Sequence, residues 1–366
     1  MPYLIDAHED LAYNILTFDR DYRRSVAETR AREKNTEIPA ATGDTLLGWP
    51  EFQRGQVALV FGTLFLVPPD HQGGPFERQV YHDYDEAFQL YQQQVDLYHR
   101  LDREHPDQFR LVRNQTELKA MLAPWDQAPA APPEVTHPMG VVMLMEGAEG
   151  LRSLDDLEYW WQQGLRLIGP VWGGGRFCGG THKPGGFTAQ GRDLLKAMAE
   201  LHFILDVSHM TDESAQYALD HYTGSVIASH ANARALLKGI QGERHLTDAA
   251  IRLLVERDGV MGVMPFNRFL RPGWTVNDDR STITLGVLVD HIDHVCQLAG
   301  DARHVGIGSD FDGGFGWPEV PVEVDTIADL QKLAQVLSGR GYSDDDIVAI
   351  FGGNWLTCLE RALPKS

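Results

Sequence analysis

The chain has 366 residues, 43% of them hydrophobic and 23% charged, with a formal net charge of −20. That is enough for a sizeable buried core, in one large or two small domains. The acidic balance argues against nucleic acid or an anionic membrane as partner, and no stretch approaches the ~18 apolar residues of a membrane span.

The N-terminus lacks a basic segment followed by an apolar run, so no secretory leader is expected. The three cysteines, Cys178, Cys296 and Cys358, show neither CxxC spacing nor a disulfide framework, which suits a reducing cytoplasm. The first predicted element is a strand over 3–7, and "IDAHED" sets Asp6, His8 and Asp10 at alternate positions. Residues two apart on a strand share a face, and three ionisable groups on a buried face are costly unless neutralised. Either a metal ion neutralises them, or the strand emerges into solvent at Ala7.

Apolar, β-branched runs predict seven more strands, over 56–66, 140–145, 165–171, 202–208, 225–229, 259–264 and 304–309. Most are continuous rather than alternating, as parallel strands buried on both faces read. Helical periodicity fills the intervals at 83–104, 153–163, 189–200, 212–221, 247–256 and 284–299. Thr211 or Asp212 is expected to cap the fourth of these and Thr247 the fifth. Further helices are predicted over 326–338, 343–350 and 354–362. The Pro- and Ala-rich stretch 123–138 reads as a surface loop rather than a domain boundary, because strand–helix alternation lies on both sides. The glycine-rich "GGGRFCGG" (173–180) lacks the GxGxxG order and reads as an active-site loop. The pattern therefore predicts one α/β domain over 1–366, a (β/α)8 TIM-type barrel with elaborated loops and extra C-terminal helices. A doubly wound open sheet is the alternative.

In such a barrel the chemistry sits at the C-terminal strand ends. The first strand ends in His8 and Asp10, the third in Glu146, the fourth in Trp172, the fifth in His209, the sixth in His230 and the eighth in Asp310. Any one of these taken alone reads as an ordinary hydrogen-bonded loop residue. Three histidines and three carboxylates at one mouth are what one or two divalent ions require. His202 and His304 fall at strand starts, His221, His291 and His294 on or beside helices, and His182 and His245 in loops. None of these is assigned to metal.

The stretches "DAHEDL" (6–11), "MEG" (145–147), "DVSHM" (206–210), "ASHANARAL" (228–236) and "GIGSDFDGG" (306–314) carry a resemblance across nearly the whole chain. In these motifs the sequence resembles the renal (membrane) dipeptidase family, peptidase family M19, within the amidohydrolase-like metal-dependent hydrolases. The resemblance implies two Zn2+ ions, although His/carboxylate sets also bind other first-row divalent metals. It implies that His8, Asp10 and Glu146 hold one ion and that Glu146 bridges to a second, held by His209 and His230. Asp310 would be the acid/base, and Arg244, in "GERHLTD", would bind a substrate carboxylate. Two cations ~3.5–4 Å apart need a bridging anion, and water held by both would ionise near neutral pH.

Two departures from the family stand out. "RLIGPVW" (166–172) aligns Trp172 with a family histidine that helps to hold the substrate, and Glu9 stands where many members have Asn. Trp172 is expected to favour an apolar group beside the scissile carbonyl. The implied function is that of a cytoplasmic, metal-dependent dipeptidase whose partner is a small molecule, a dipeptide or similar, with a homodimer allowed. The alternatives are a related amidohydrolase acting on N-acyl amino acids or another small amide or lactone, and a metal-binding pseudoenzyme.

Overall fold

The structure, a computed structural model, describes residues 2–126 and 136–366. Residues 127–135, most of the stretch read as a long loop, lie outside the described residues. The start of that stretch is helical instead, since Gln115–Asp126 forms a helix that carries Pro124 near its end.

Among the described residues nine strands form: β1 (Leu4–Glu9), β2 (Val57–Phe65), β3 (Phe109–Leu111), β4 (Met139–Glu146), β5 (Leu165–Gly169), β6 (Ile204–Asp206), β7 (Val226–Ile227), β8 (Met261–Val263) and β9 (Val305–Ile307). Eight of them run in the order β7-β6-β5-β4-β2-β1-β9-β8, every pair parallel. Ala228 closes the ring between β7 and β8: its N–H donates to Val260 O at 3.0 Å, and Gly262 N–H donates to its carbonyl at 2.8 Å. This is the (β/α)8 barrel that the strand count predicts. The unforeseen β3 pairs with the first half of β4, on the edge that β5 takes over further along. Only Phe109 and Leu111 are buried in it, too few residues for any periodicity to show.

β6 is shorter than its apolar run. His202 adopts a left-handed backbone, and Phe203 N–H is spent on Met198 O at the end of the preceding helix. The helix caps form as expected, with the Thr211 hydroxyl accepting from Ser214 N–H (3.3 Å) and that of Thr247 from Ala250 N–H (3.2 Å). The C-terminal helix Asn354–Ala362 lies against β1 and β9. Its fully buried Trp355 donates from Nε1 to Ile307 O at 3.0 Å. A Cβ at Gly306 would lie 2.3 Å from that nitrogen, so the space beside this glycine is filled by the indole. Gly308 is likewise packed, against the Ser229 carbonyl.

Between β1 and β2 the chain makes a long excursion through four short helices, α1 (Leu11–Phe18), α2 (Val26–Glu33), α3 (Ile38–Thr42) and α4 (Trp49–Arg54), none of them predicted. One carboxylate anchors it. Asp312, fully buried, accepts from Tyr22 Oη (2.9 Å), Thr45 Oγ1 (2.5 Å) and Leu46 N–H (2.8 Å), and pairs with Arg20 at 3.0 Å. Arg20 in turn pairs with Glu33 at 2.9 Å. Among the described residues no helix is long and apolar enough to cross a membrane.

Candidate metal centre

The first strand does not keep strict alternation. Between Asp6 and Glu9 the β1–β2 register shifts, so that three residues of β1 advance past two of β2. The bulge separates Asp6 from the pair beyond it. Asp6 Oδ1 accepts from Ser309 N–H (2.7 Å) and His8 N–H (3.3 Å), and so ties β1 to the end of β9. Of the three ionisable groups at alternate positions of "IDAHED", only His8 and Asp10 reach the centre.

There they meet every strand-end residue singled out as a ligand. His8, Asp10 and Glu146 form one group of donor atoms lying within 4.8 Å of one another, and Glu146, His209 and His230 form a second. Glu146 is divided between them. Its Oε2 lies 3.6 Å from His8 Nε2, while its Oε1 lies 3.0 Å from His209 Nε2 and 3.5 Å from His230 Nε2. Asp310 stands beside the first group, its Oδ1 3.8 Å from His8 Nε2, and also makes a third grouping with His8 and His230. His209 and Asp310 both have positive φ, 67° and 57°, so the chain turns sharply as it leaves each strand and presents these side chains at the mouth.

The residues fit a pair of cations. His8 Nε2 is buried without a hydrogen-bond partner among the described residues, and His209 Nε2 faces His230 Nε2 at 2.9 Å. Each imidazole is held from behind: Thr181 Oγ1 lies 2.9 Å from His209 Nδ1, and Ser229 Oγ lies 2.7 Å from His230 Nδ1 and 3.4 Å from His8 Nδ1. The Ser229 hydroxyl donates to Asp206 Oδ2 at 2.5 Å, which leaves its oxygen free to accept from a ring N–H. A proton fixed on Nδ1 turns the Nε2 lone pair toward the centre, as a metal ligand needs. Asp10 Oδ1 is bonded by Thr63 Oγ1. Among the described residues no Lys or Arg forms an ion pair with Asp10, Glu146 or Asp310, so three buried or nearly buried carboxylates converge with histidines as their only direct ion-pair partners.

The electrostatics reflect that convergence. Burial pushes the Asp10 carboxyl up to about 6, and burial followed by Asp10 and Glu146 raises Asp310 well above the usual carboxylate range, against the pull of His8. Burial opposes charge on His8, yet Glu146, Asp310 and Asp10 outweigh it and hold the imidazole near 10. Burial and then Arg244 bring His209 down to about 4, and burial, His8 and Arg244 hold His230 well below the ordinary value. Glu9, buried in the protein, has no hydrogen-bond partner among the described residues on either carboxyl oxygen. Burial, then Asp6, Asp312 and Asp10, raise it well above the carboxylate range.

Arg244 lies behind the second group. It is buried, donates to His230 O at 3.0 Å and to Met264 Sδ at 3.5 Å, and makes no ion pair with any described carboxylate. Trp172 follows β5 and stands 6.1 Å, ring to ring, from His209. The glycine-rich loop folds back so that Thr181 N–H bonds to Trp172 O (3.1 Å), and this brings the Thr181 hydroxyl onto His209. Thr63, Thr181, Asp206 and Ser229 were not foreseen as site residues. Ser229, next to His230 in "ASHAN", and Asp206, which opens "DVSHM", carried a positional hint. His182 packs on Trp172 at 5.1 Å and on His71 at 4.3 Å. Of these two histidines His71 lines the site cavity, and nothing in its irregular loop sequence announced it.

A profile of the membrane dipeptidase family (peptidase family M19) matches residues 2–363. An uncharacterised protein from the pqqA 5′ region of Klebsiella pneumoniae is 33% identical over 233 residues, 61% of this chain and 82% of that protein. The dipeptidase aclJ of Aspergillus oryzae is 29% identical over 283 residues, 73% of this chain and 60% of that protein. Among solved structures, a metallopeptidase from Rhodobacter sphaeroides, bound to a phosphinate mimic of the dipeptide L-Ala-D-Ala, superposes with a TM-score of 0.76 at 22% identity, over 99% of each chain. The probable dipeptidase PvdM of Pseudomonas aeruginosa gives 0.78 at 20% identity, over 100% of this chain and 96% of that one.

Proposed function

The chain belongs to the membrane dipeptidase family, peptidase family M19, and on that premise we propose that it is a binuclear zinc dipeptidase hydrolysing the amide bond of a dipeptide. The observation that carries the two-ion reading is the division of Glu146, one oxygen toward His8 and the other toward His209 and His230. His8, Asp10 and Glu146 would hold one ion, and Glu146, His209 and His230 the other. Two divalent ions bound there supply Lewis acidity at the scissile carbonyl and bring the pKa of water toward neutrality. Other first-row divalent metals suit the same donors.

The protein groups divide the remaining work. Asp310 accepts the proton of the attacking water at its carboxylate and returns it to the amide nitrogen as the C–N bond breaks, releasing two amino acids. The Arg244 guanidinium, buried and without a carboxylate partner among the described residues, grips the free carboxylate of the substrate and fixes its direction across the centre. Cys178, Cys296 and Cys358 stand unpaired, which supports a reducing, cytoplasmic setting.

The test is turnover by the zinc-loaded protein on dipeptides, their C-terminal amides and N-acyl amino acids. Dipeptides are expected to be the better substrates. Because a charge-assisted pair is lost, Arg244→Met should raise KM for them by about 10-fold or more, with a much smaller effect on the amides. Equal losses on both would remove Arg244 from recognition, and turnover of N-acyl amino acids alone would replace the dipeptidase reading.

A further inference from the structure

A small apolar cluster at the barrel mouth stands apart from the two large clusters of the core. Tyr13, Phe65 and Val67 belong to it, and Phe76 and Trp172, both half-buried, pack against it. Phe65 ends β2, Tyr13 comes from α1 and Trp172 follows β5. Their rings form a continuous wall, with Tyr13 edge-on to Phe65 at 5.4 Å and Phe65 edge-on to Trp172 at 5.4 Å. The Tyr13 hydroxyl is occupied by Glu77 Oε1 at 3.2 Å. All five residues line one cavity of about 230 Å³, which also contains Asp10, Glu146, His209, His230 and Asp310. Apolar faces are thus left open to a cavity that holds the reacting centre, where an apolar ligand group recovers the hydrophobic free energy of covering them.

The barrel order says which part of a substrate meets this wall. Arg244 rests on His230 O and Met264 Sδ, just beyond β7 and β8. In the ring, the β7–β8 seam lies opposite the neighbours β4 and β2. A substrate whose carboxylate is held at Arg244 and whose amide lies over the centre therefore points its acyl end at the β2 side, where Phe65 and Val67 stand.

Resting on the dipeptidase reading above, we propose that this wall is the acyl-side pocket and selects dipeptides whose N-terminal residue carries a large apolar, preferably aromatic, side chain. Trp172 and Phe65 are its specificity-determining residues. An aromatic guest gains edge-to-face packing in addition to burial.

The test compares kcat/KM of the zinc-loaded full chain on X-Ala, with X running through Gly, Ala, Leu and Phe, against the mirrored series Ala-X. Phe should exceed Gly by about 10-fold or more in the acyl position, with a flatter mirrored series. Trp172→Ala and Phe65→Ala should each lower that ratio, which is internal to one preparation and independent of the folded fraction. Dissociation constants of non-hydrolysable phosphinate mimics of the same pairs provide a readout without turnover. Hydrolysis of dipeptides with a flat acyl series, or a ratio unchanged in both variants, overturns the pocket and leaves the dipeptidase reading standing. Tighter binding of the Phe mimic with no turnover of any dipeptide keeps the pocket and overturns the dipeptidase reading.

Discussion

Asp310 and Asp312 lie two residues apart, both in left-handed backbone, yet only Asp310 faces the metal centre. Asp312 has its oxygens filled by Tyr22, Thr45, Leu46 and Arg20, and it has no capacity left for a reacting proton. The sequence favours Asp310 because "DGG" implies that the chain has turned by Asp312. The turn is real, but Asp312 anchors a distant loop instead of capping its own. Asp310→Asn keeps the shape of the side chain and removes its proton acceptor. With two ions retained, kcat should fall by about 10²–10⁴-fold, measured on the same dipeptide before and after elemental analysis. Loss of an ion in that variant would make Asp310 a ligand, as its grouping with His8 and His230 allows. The candidate ligands were legible because His, Asp and Glu are conspicuous at the ends of apolar runs. Of the hydroxyls beside them, Thr181 was not, since its partner His209 comes from another strand end, and Ser229 was hinted at only by its place next to His230.

At the scale of elements, the barrel strands and the helices between them were readable, whereas the excursion between β1 and β2 was not. Its helices have eight residues or fewer, and α2 buries only Val26, Thr29 and Glu33, so no apolar stripe marks it. What fixes the excursion is tertiary, the Asp312–Arg20–Glu33 chain. Removing one partner of a buried ion pair leaves the other charge uncompensated. Asp312→Ala should therefore destabilise the protein by about 3 kcal/mol or more, read as a shift of the denaturant midpoint. A change below ~1 kcal/mol, the size of a surface pair, would mean that the excursion is held by other contacts. The β1 bulge is a second feature that pattern could not supply. Alternation places Asp6, His8 and Asp10 on one face, whereas the register shift sends Asp6 to the backbone of Ser309.

For the whole molecule, the barrel gathers residues spread from His8 to Asp310 onto one rim, which is why motifs far apart in sequence read as one site. Eight parallel strands, the ring closed through Ala228 and a C-terminal helix seated on β1 and β9 hold that rim in place. The central claim is that this rim holds two ions joined through Glu146. The most direct test is the metal content of the zinc-saturated wild type and of Glu146→Ala, set beside His230→Ala. The account predicts two ions per chain in the wild type, loss of mainly one in His230→Ala, and weakened binding of both in Glu146→Ala. Saturation of the wild type at a single ion per chain, or a Glu146→Ala protein that still binds two as tightly, would contradict it.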